Sequence, residues 1–533
     1  MKTTAPISMT NAHPRTRKLV PPFPRTTDNP RHGGTSLRAR TLPTLLTALL
    51  LALAPHLPAK EPPSGRVHVG WAITSITPDE PVALAGQFHK RISQRVESPC
   101  MATVLALETR RDDQSLEQAI MVSCDLVLIA DQLQPRLRKM LAGKLPGFDL
   151  KKLFLNATHT HSGPVTRAIG WYTIDDPGVM KPPAYVDFML KKIADAIVAA
   201  WKNRKPGGVS WGLGHAVVGS NRRMVYRTAQ GQPPFGGGTA AMYGRNNIPA
   251  FLSVEGSEDT GIEMLFFWNA KNQLTGCVLN IACPSQVRES ARYLSSDFWG
   301  KVRQEMKKRH GQNVFVLPWC GAAGDQSPHV QYRRAAEARM RKLRGDLPAD
   351  VVIAQRIMNA VDTALPAVKK DIRTEVPFGH HVETLQLPKR MVTRAEKEWA
   401  QAKVDSILAK PAAQRSTGDE SHRRWNQHVI DRFNEQKSKP KFEMELHVLR
   451  LGDCAVATNP FELFLDYGLR MKTRSKAPQT FIVQLASSAG WYLPTIKAAA
   501  GGGYSAIIQS CIVGPEGGDI LVNRTVELIN RMW

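Results

Sequence analysis

The chain is 533 residues long, 42% hydrophobic and 22% charged, a composition ordinary for a globular enzyme whose core folds without staples. Its net charge of +25 favours anionic surfaces or substrates, although a solvated basic surface is the commoner meaning of such a charge. Zinc-finger spacing, an aromatic-basic RNA motif and a basic helix with heptads are all missing, which excludes nucleic acid as the expected partner.

Up to Arg40 the chain is rich in Pro, Thr and Arg, without apolar periodicity, and is expected to be disordered. Arg38-Ala39-Arg40, the apolar run Leu42 to Ala54 and the small-residue exit Leu57-Pro58-Ala59 then predict a signal peptide. Whether cleaved or kept as an anchor, it implies export to the periplasm, the cell surface or the exterior. The run is too short for a comfortable membrane span. Residues 1–60 carry nine Lys or Arg against Asp28 alone, a net of +8, which leaves +17 on the remainder.

The folded part begins at 61. Val67–Ile76, Met101–Leu107 and Ala119–Ala130 read as strands, Gln132–Leu145 as a helix and Leu153–Ala157 as the next strand, a β-α-β rhythm. The strand then breaks into Asn156-Ala157-Thr158-His159-Thr160-His161-Ser162-Gly163-Pro164. Residues i and i+2 share a strand face, so His159 and His161 are expected to reach one cavity. There they can bind a metal, move protons or divide the two jobs. Tyr185, Phe188, Met189, Ile193, Ile197 and Trp201 mark one face of a helix over Tyr185–Trp201. Gly208–Val218 follows as a strand and Gln230–Gly238 as a loop.

Met264–Trp268 and Gly276–Ala282 form a predicted hairpin through Asn269–Gln273, with Asp297–His310 a helix and Asn313–Leu317 a strand. Arg333–Ala364 is a long basic helical stretch broken near Gly345–Pro348. Thr393-Arg394-Ala395-Glu396 is a capping box opening a helical segment to about Gln436, with breaks at Pro411 and Gly418. Phe442–Leu451 and Cys454–Thr458 are strands. With no repeat and no linker after residue 61, the expected fold is α/β, a single large domain over 61–533 with mixed β-sheets flanked by helices.

Four later segments also break from apolar strands into polar turns. They are Asn280-Ile281-Ala282-Cys283-Pro284-Ser285, the small-residue loop Cys320–Pro328, Phe461-Glu462, and Gly490-Trp491-Tyr492-Leu493-Pro494-Thr495 running on to Gly501-Gly502-Gly503-Tyr504. Of the seven cysteines, Cys124 and Cys277 lie in apolar runs and read as core, whereas Cys283 and Cys320 adjoin turn-rich segments.

Taken in order, these segments resemble the neutral/alkaline (non-lysosomal) ceramidases, zinc amidases that cleave the N-acyl bond of ceramide. The resemblance spans about residues 66 to 533, the catalytic part of that family. It is carried by Thr158–Pro164, Ser220-Asn221-Arg222, Gly324-Asp325-Gln326-Ser327-Pro328, Glu462 and the twelve-residue step from Tyr492 to Tyr504. It implies His159, Glu462 and Tyr492 as zinc ligands and His161 as proton donor and acceptor at the scissile amide. It also implies Arg222 and Tyr504 as contacts to the substrate's polar head. Ser327, with no assignable histidine base, is expected in a structural or substrate-contact role.

One departure stands out. The family has a second zinc-binding histidine after the strand matching Val278–Ala282, where this chain has Cys283-Pro284 and no histidine before Arg288. Cys283 is either a thiolate ligand in its place or a buried thiol. With Trp533 as its last residue, the chain is expected to lack the extra C-terminal domain of the larger ceramidases. The implied function is an exported zinc amidohydrolase acting on a lipid or other N-acyl amide, with contact to a membrane surface. The alternatives are a related metal hydrolase of a non-lipid amide or ester, and a metal-poor pseudoenzyme that binds lipid or surface polymer.

Overall fold

Strand Ser64–Ser75 organises the chain. One edge pairs antiparallel with Met101–Arg111 from Arg66↔Arg110 to Ser75↔Met101. The other edge meets Glu375–Pro388 at residues 64–66 and Lys205–His215 at residues 68–69. Three arms therefore diverge from one strand and make a mixed sheet of twelve strands among the described residues. The computed structural model describes residues 61–167, 171–229 and 238–533. Helices flank this sheet, so the α/β architecture with mixed sheets is the one found.

Each arm ends in a parallel pair, and a parallel pair needs a crossover connection. Helix Leu133–Leu141 joins Gln114–Cys124 to Leu153–Ala157, and helix Phe298–His310 joins Leu274–Ile281 to Phe315–Cys320. Helix Leu465–Arg474 joins Cys454–Thr458 to Gln479–Val483. The C-terminal ends of these strands meet. Asn156 Nδ2 donates to the Pro318 carbonyl (3.3 Å), Asn280 Nδ2 to Ile482 (2.9 Å) and the Gln484 amide to Cys320 (3.0 Å). Loops leaving the three crossovers therefore open onto one place, where open α/β sheets bind ligands.

Alternation along the strands builds the layers. In Gly261–Asn269, Ile262, Met264, Phe266 and Trp268 face helices Phe298–His310 and Ala349–Val368, while Leu265 and Phe267 face inward. In Lys441–Leu451, Met444, Leu446 and Val448 join the cluster that contains Leu521 and Val522 of helix Pro515–Asn530, while Leu449 and Leu451 join the inner cluster. Trp71, Leu105, Met121, Phe154, Trp319 and Phe481 complete that inner core between the arms. A period of two thus feeds two apolar layers from each arm.

Several expectations are met with small changes. The hairpin through Asn269–Gln273 is present, as are Pro182–Lys202 and the split of the basic stretch into Arg334–Leu343 and Ala349–Val368. The Thr393/Glu396 capping box opens Arg394–Leu408. Gly418 is not a break: it sits in the first turn of Thr417–Glu435, which Ser416 and Asp419 cap with a box of their own. The strand expected over Ala119–Ala130 stops at Cys124, and Glu375–Pro388 is an additional strand. Residues 1–60 and 230–237 lie outside the described residues, so the leader and most of the Gln230–Gly238 loop are not described. No helix among the described residues is long and apolar enough to cross a membrane.

Asp125 explains the early stop. Its buried carboxylate accepts the Met101 amide (2.9 Å), the Thr158 hydroxyl (3.2 Å) and both Nη atoms of Arg303 (2.7 and 3.1 Å). Those bonds turn the chain out of the sheet and tie it to the segment before His159. Asp125→Ala strands a buried guanidinium, so urea unfolding should show a loss of about 3–5 kcal/mol.

Candidate active site

His159 follows the strand Leu153–Ala157 by two residues and has φ 66°, in the left-handed region. The strand period therefore does not bring the histidines together. The turn does: the two rings lie 4.9 Å apart at 73°, with the Nε2 atoms 3.3 Å from each other. For a non-glycine residue that backbone costs about 1–3 kcal/mol, which the surroundings must hold in place. The hold is the His159 Nδ1–H donated to the Val127 carbonyl (2.6 Å), from the segment that Asp125 turns out of the sheet. With Nδ1 so used, His159 Nε2 faces the Glu462 carboxylate at 3.3 Å, and when it carries a proton the two make an ion pair.

His161 is walled on three sides. Gly86, at φ 96°, packs on the ring so closely that a Cβ there would collide with the imidazole. Gln286 Nε2 donates to His161 Nε2 (2.8 Å), while the Gln286 carbonyl accepts Arg222 Nη1 (3.2 Å). Nδ1, with no hydrogen-bond partner among the described residues, lies 3.9 Å from Glu289, whose other oxygen binds His329 (3.0 Å). Buried Arg91 donates to the His161, Ala85 and Ala291 carbonyls (2.7, 2.6 and 2.7 Å) and pins this turn.

Glu462 and Tyr492 are register partners in the short parallel pair Phe461–Leu463 and Trp491–Leu493. Burial pushes the Glu462 carboxyl up, but the His159 imidazole, the Tyr492 hydroxyl and the Arg222 charge outweigh it, leaving the group below the ordinary carboxylate range. Gln484 fixes this pair against the small-residue loop, its side-chain carbonyl accepting the Ala323 and Leu463 amides (3.0 Å each). A Cβ on Gly324 would collide with the Glu462 carbonyl, so the expected close backbone approach is present.

Arg222 is 2% exposed. Its guanidinium donates to Gln286, the Tyr243 hydroxyl (3.3 Å), the Gly324 carbonyl (3.0 Å) and the Tyr492 hydroxyl (3.2 Å). It thus joins the Gln286 segment to the Glu462–Tyr492 pair. Ser220–Asn221 pairs with Gln326–Ser327, and Asn221 donates to Asp325 (2.9 Å). Ser327 Oγ accepts the Tyr243 hydroxyl and the His329 amide (3.0 Å each). With a phenol and an amide as its neighbours rather than a basic nitrogen, Ser327→Ala should keep kcat within about tenfold of the parent.

Cys283 packs elsewhere. It belongs to the apolar cluster of Val218, Ile281 and Phe298, its Sγ donates to the Pro284 carbonyl (3.5 Å), and burial pushes its thiol well above the usual range. Between the two alternatives for Cys283, packing favours the buried thiol. The residue of that segment which reaches the site is Gln286. Among the described residues, no set of three or more His, Cys, Asp and Glu side chains is spaced to enclose a metal ion. What stands ready is the pair His159 and Glu462, with the Tyr492 hydroxyl beside them. An imidazole nitrogen and a carboxylate oxygen 3.3 Å apart are atoms of the kinds that ligate zinc, and their spacing leaves room for one ion between them once the ring is neutral. In that core the residues present fit the metal.

An aromatic surface begins at Tyr492. The Tyr504 ring lies 5.7 Å from it and touches Phe88 and Trp425, each at 5.8 Å. Phe88 in turn meets Trp171 (5.9 Å), and Trp171 meets Trp491 (5.0 Å). Tyr504 therefore stands as one ring of a half-buried apolar wall. Gln286, Glu289, Tyr243, Phe88 and Trp425 were not singled out by motif reading. Of these, only Phe88 and Trp425 had a usable signal, as aromatics amid polar sequence.

No protein-family model matches the chain, and no curated protein matches it. Among solved structures, neutral ceramidase from Pseudomonas aeruginosa superposes with a TM-score of 0.61 at 16% identity, over 88% of this chain and 75% of that one. A structure described as ceramidase complexed with C2 gives 0.60 at 14% identity, over 87% and 75%. At these identities the likeness is one of fold. The chain shares the fold of these two proteins, the one its motif order led us to expect.

Proposed function

We propose that this chain is an exported, zinc-dependent hydrolase of an N-acyl amide, with a ceramide-like lipid as its substrate. The observation that carries the reading is the facing of His159 Nε2 and the Glu462 carboxylate, with His161 Nε2 3.3 Å from His159. His159, Glu462 and Tyr492 would hold the metal. Bound zinc polarises a carbonyl and lowers the pKa of its water to about 7. The rest falls to the chain itself. His161, whose Nε2 lone pair the Gln286 amide holds at 2.8 Å, exchanges that bond for one to the attacking water, takes its proton and returns it to the departing amine. Gln286 and Gly86 fix the ring for that exchange. Arg222, through the Tyr492 and Tyr243 hydroxyls, sets the polar end of the site, and the wall from Tyr504 to Trp491 offers apolar surface to an acyl or sphingoid chain.

Export rests on the Leu42–Ala54 run and its flanks. A second reading, a lipid-binding chain without turnover, is favoured by the position of Cys283 in the core. Fluorescent N-acyl-sphingosine, assayed beside simpler N-acyl amines, together with the zinc content of the purified protein, separates the two. The hydrolase reading expects turnover and about one equivalent of zinc. Less than roughly a tenth of an equivalent, with no turnover of any amide, would sink it.

A further inference from the structure

The helix Arg334–Leu343 has no buried residue. It starts seven residues beyond Ser327, and the chain between carries His329, which binds Glu289 beside His161. Over Arg333–Arg344 there are six Arg or Lys and one acid, Glu337, which Arg356 already engages at 2.8 Å. Arg339, Arg341, Lys342 and Arg344 make no ion pair among the described residues. Ala336, Met340 and Leu343 stand at i, i+4 and i+7, so they share one helical face. Met340 is 41% and Leu343 64% exposed, with Val330 40% exposed just before the helix.

A helix meant only for water has no use for that stripe. A nucleic acid would engage the cations and leave Met340 and Leu343 wet. An anionic lipid surface satisfies both, since basic side chains meet headgroups while apolar ones enter the acyl boundary. We propose that Arg334–Leu343 is an interfacial helix that seats this protein on an anionic bilayer, bringing the Ser327–His329 segment of the site to the lipid. The proposal rests on the amide-hydrolase reading only for its use, since docking is measured without turnover.

The test is flotation of the full chain with vesicles of phosphatidylcholine alone or with roughly a third phosphatidylglycerol. Binding to the anionic vesicles should be at least about tenfold tighter and should weaken as salt rises. M340S/L343S should lose about tenfold on anionic vesicles while its retention on heparin stays unchanged. R339E/R341E should lose binding to both. Leu343→Trp should show blue-shifted emission on anionic vesicles. Equal or absent binding to the two vesicle types overturns the proposal. So does an M340S/L343S variant that binds as the parent does, which would assign the helix to polyanions such as nucleic acid. Both double variants should hydrolyse a water-soluble short-chain N-acyl amide at the parent rate. If the parent itself lacks that activity, the amide reading fails and the vesicle result still decides the docking.

Discussion

Replacing His159 with alanine is expected to remove bound zinc and turnover together, leaving less than about a thousandth of the parent rate. His159 brings the ring nitrogen that faces the Glu462 carboxylate, its Nδ1–H being committed to the Val127 carbonyl. Alanine leaves the Glu462 carboxylate with the Tyr492 hydroxyl and the Arg222 charge but with no ring nitrogen facing it. His161→Ala should behave differently. It removes a group for proton exchange but none of the proposed ligands, so zinc should stay near one equivalent while kcat falls by roughly 10²–10⁴. Metal content by plasma emission, measured on both variants with circular dichroism as a fold control, reads the difference. If both variants lose the metal, His161 is a ligand and its assigned role is wrong. If His159→Ala keeps it, the zinc reading itself fails.

Arg222→Met should lower kcat/KM by roughly 10²–10³, since it deletes the charged fork that positions Tyr492, Tyr243 and Gln286 around the site. The cause is traceable group by group. The Gly324 carbonyl, the Gln286 carbonyl and the Tyr492 hydroxyl each lose a partner within 3.2 Å. The Glu462 carboxyl loses one of the charges that hold it below the ordinary range, and burial then pushes it upward. Unpaired buried groups cost about 1–3 kcal/mol each, so unfolding should also come at lower denaturant. Arg222→Lys cannot span four partners with a single ammonium and should recover little of the rate. Recovery to near the parent level would show that charge alone, and not the fork, is what the site needs.

How far the sequence carried these conclusions differs from one part to the next. The β-α-β rhythm around Leu153–Ala157 and the hairpin at Asn269–Gln273 were legible because apolar runs and turn residues coincide there. The strand Glu375–Pro388 was not, since its run Val376-Pro377-Phe378-Gly379-His380-His381 mixes breakers and imidazoles with its inward Val376 and Phe378. His380 is buried against His447 at 2.9 Å, a contact no local pattern announces. The two histidines of the site were found, though by a period that ends before them: a left-handed turn at His159 does what strand alternation was expected to do. Glu462 and Tyr492 stood out as breaks from strand to polar turn, but a shared role for them came only through resemblance, because their pairing depends on two short strands thirty residues apart in sequence. Gln286 was passed over because an amide near a proline turn looks like any other surface residue.

The convergence of three crossover units has a consequence for how the protein comes into being. The bond from Asn156 to Pro318 closes a loop of 162 residues, that from Asn280 to Ile482 one of 202, and that from Arg222 to Tyr492 one of 270. Contacts of such span form late and slowly, after local helices and hairpins. During synthesis the first arm can collapse on Leu133–Leu141 and Pro182–Lys202 while His159 and His161 still await their carboxylate. Glu462 and Tyr492 leave the ribosome among the last hundred residues. Assembly of the candidate site is thus a property of the finished chain, and a nascent or C-terminally clipped molecule carries the imidazoles without the carboxylate that faces them.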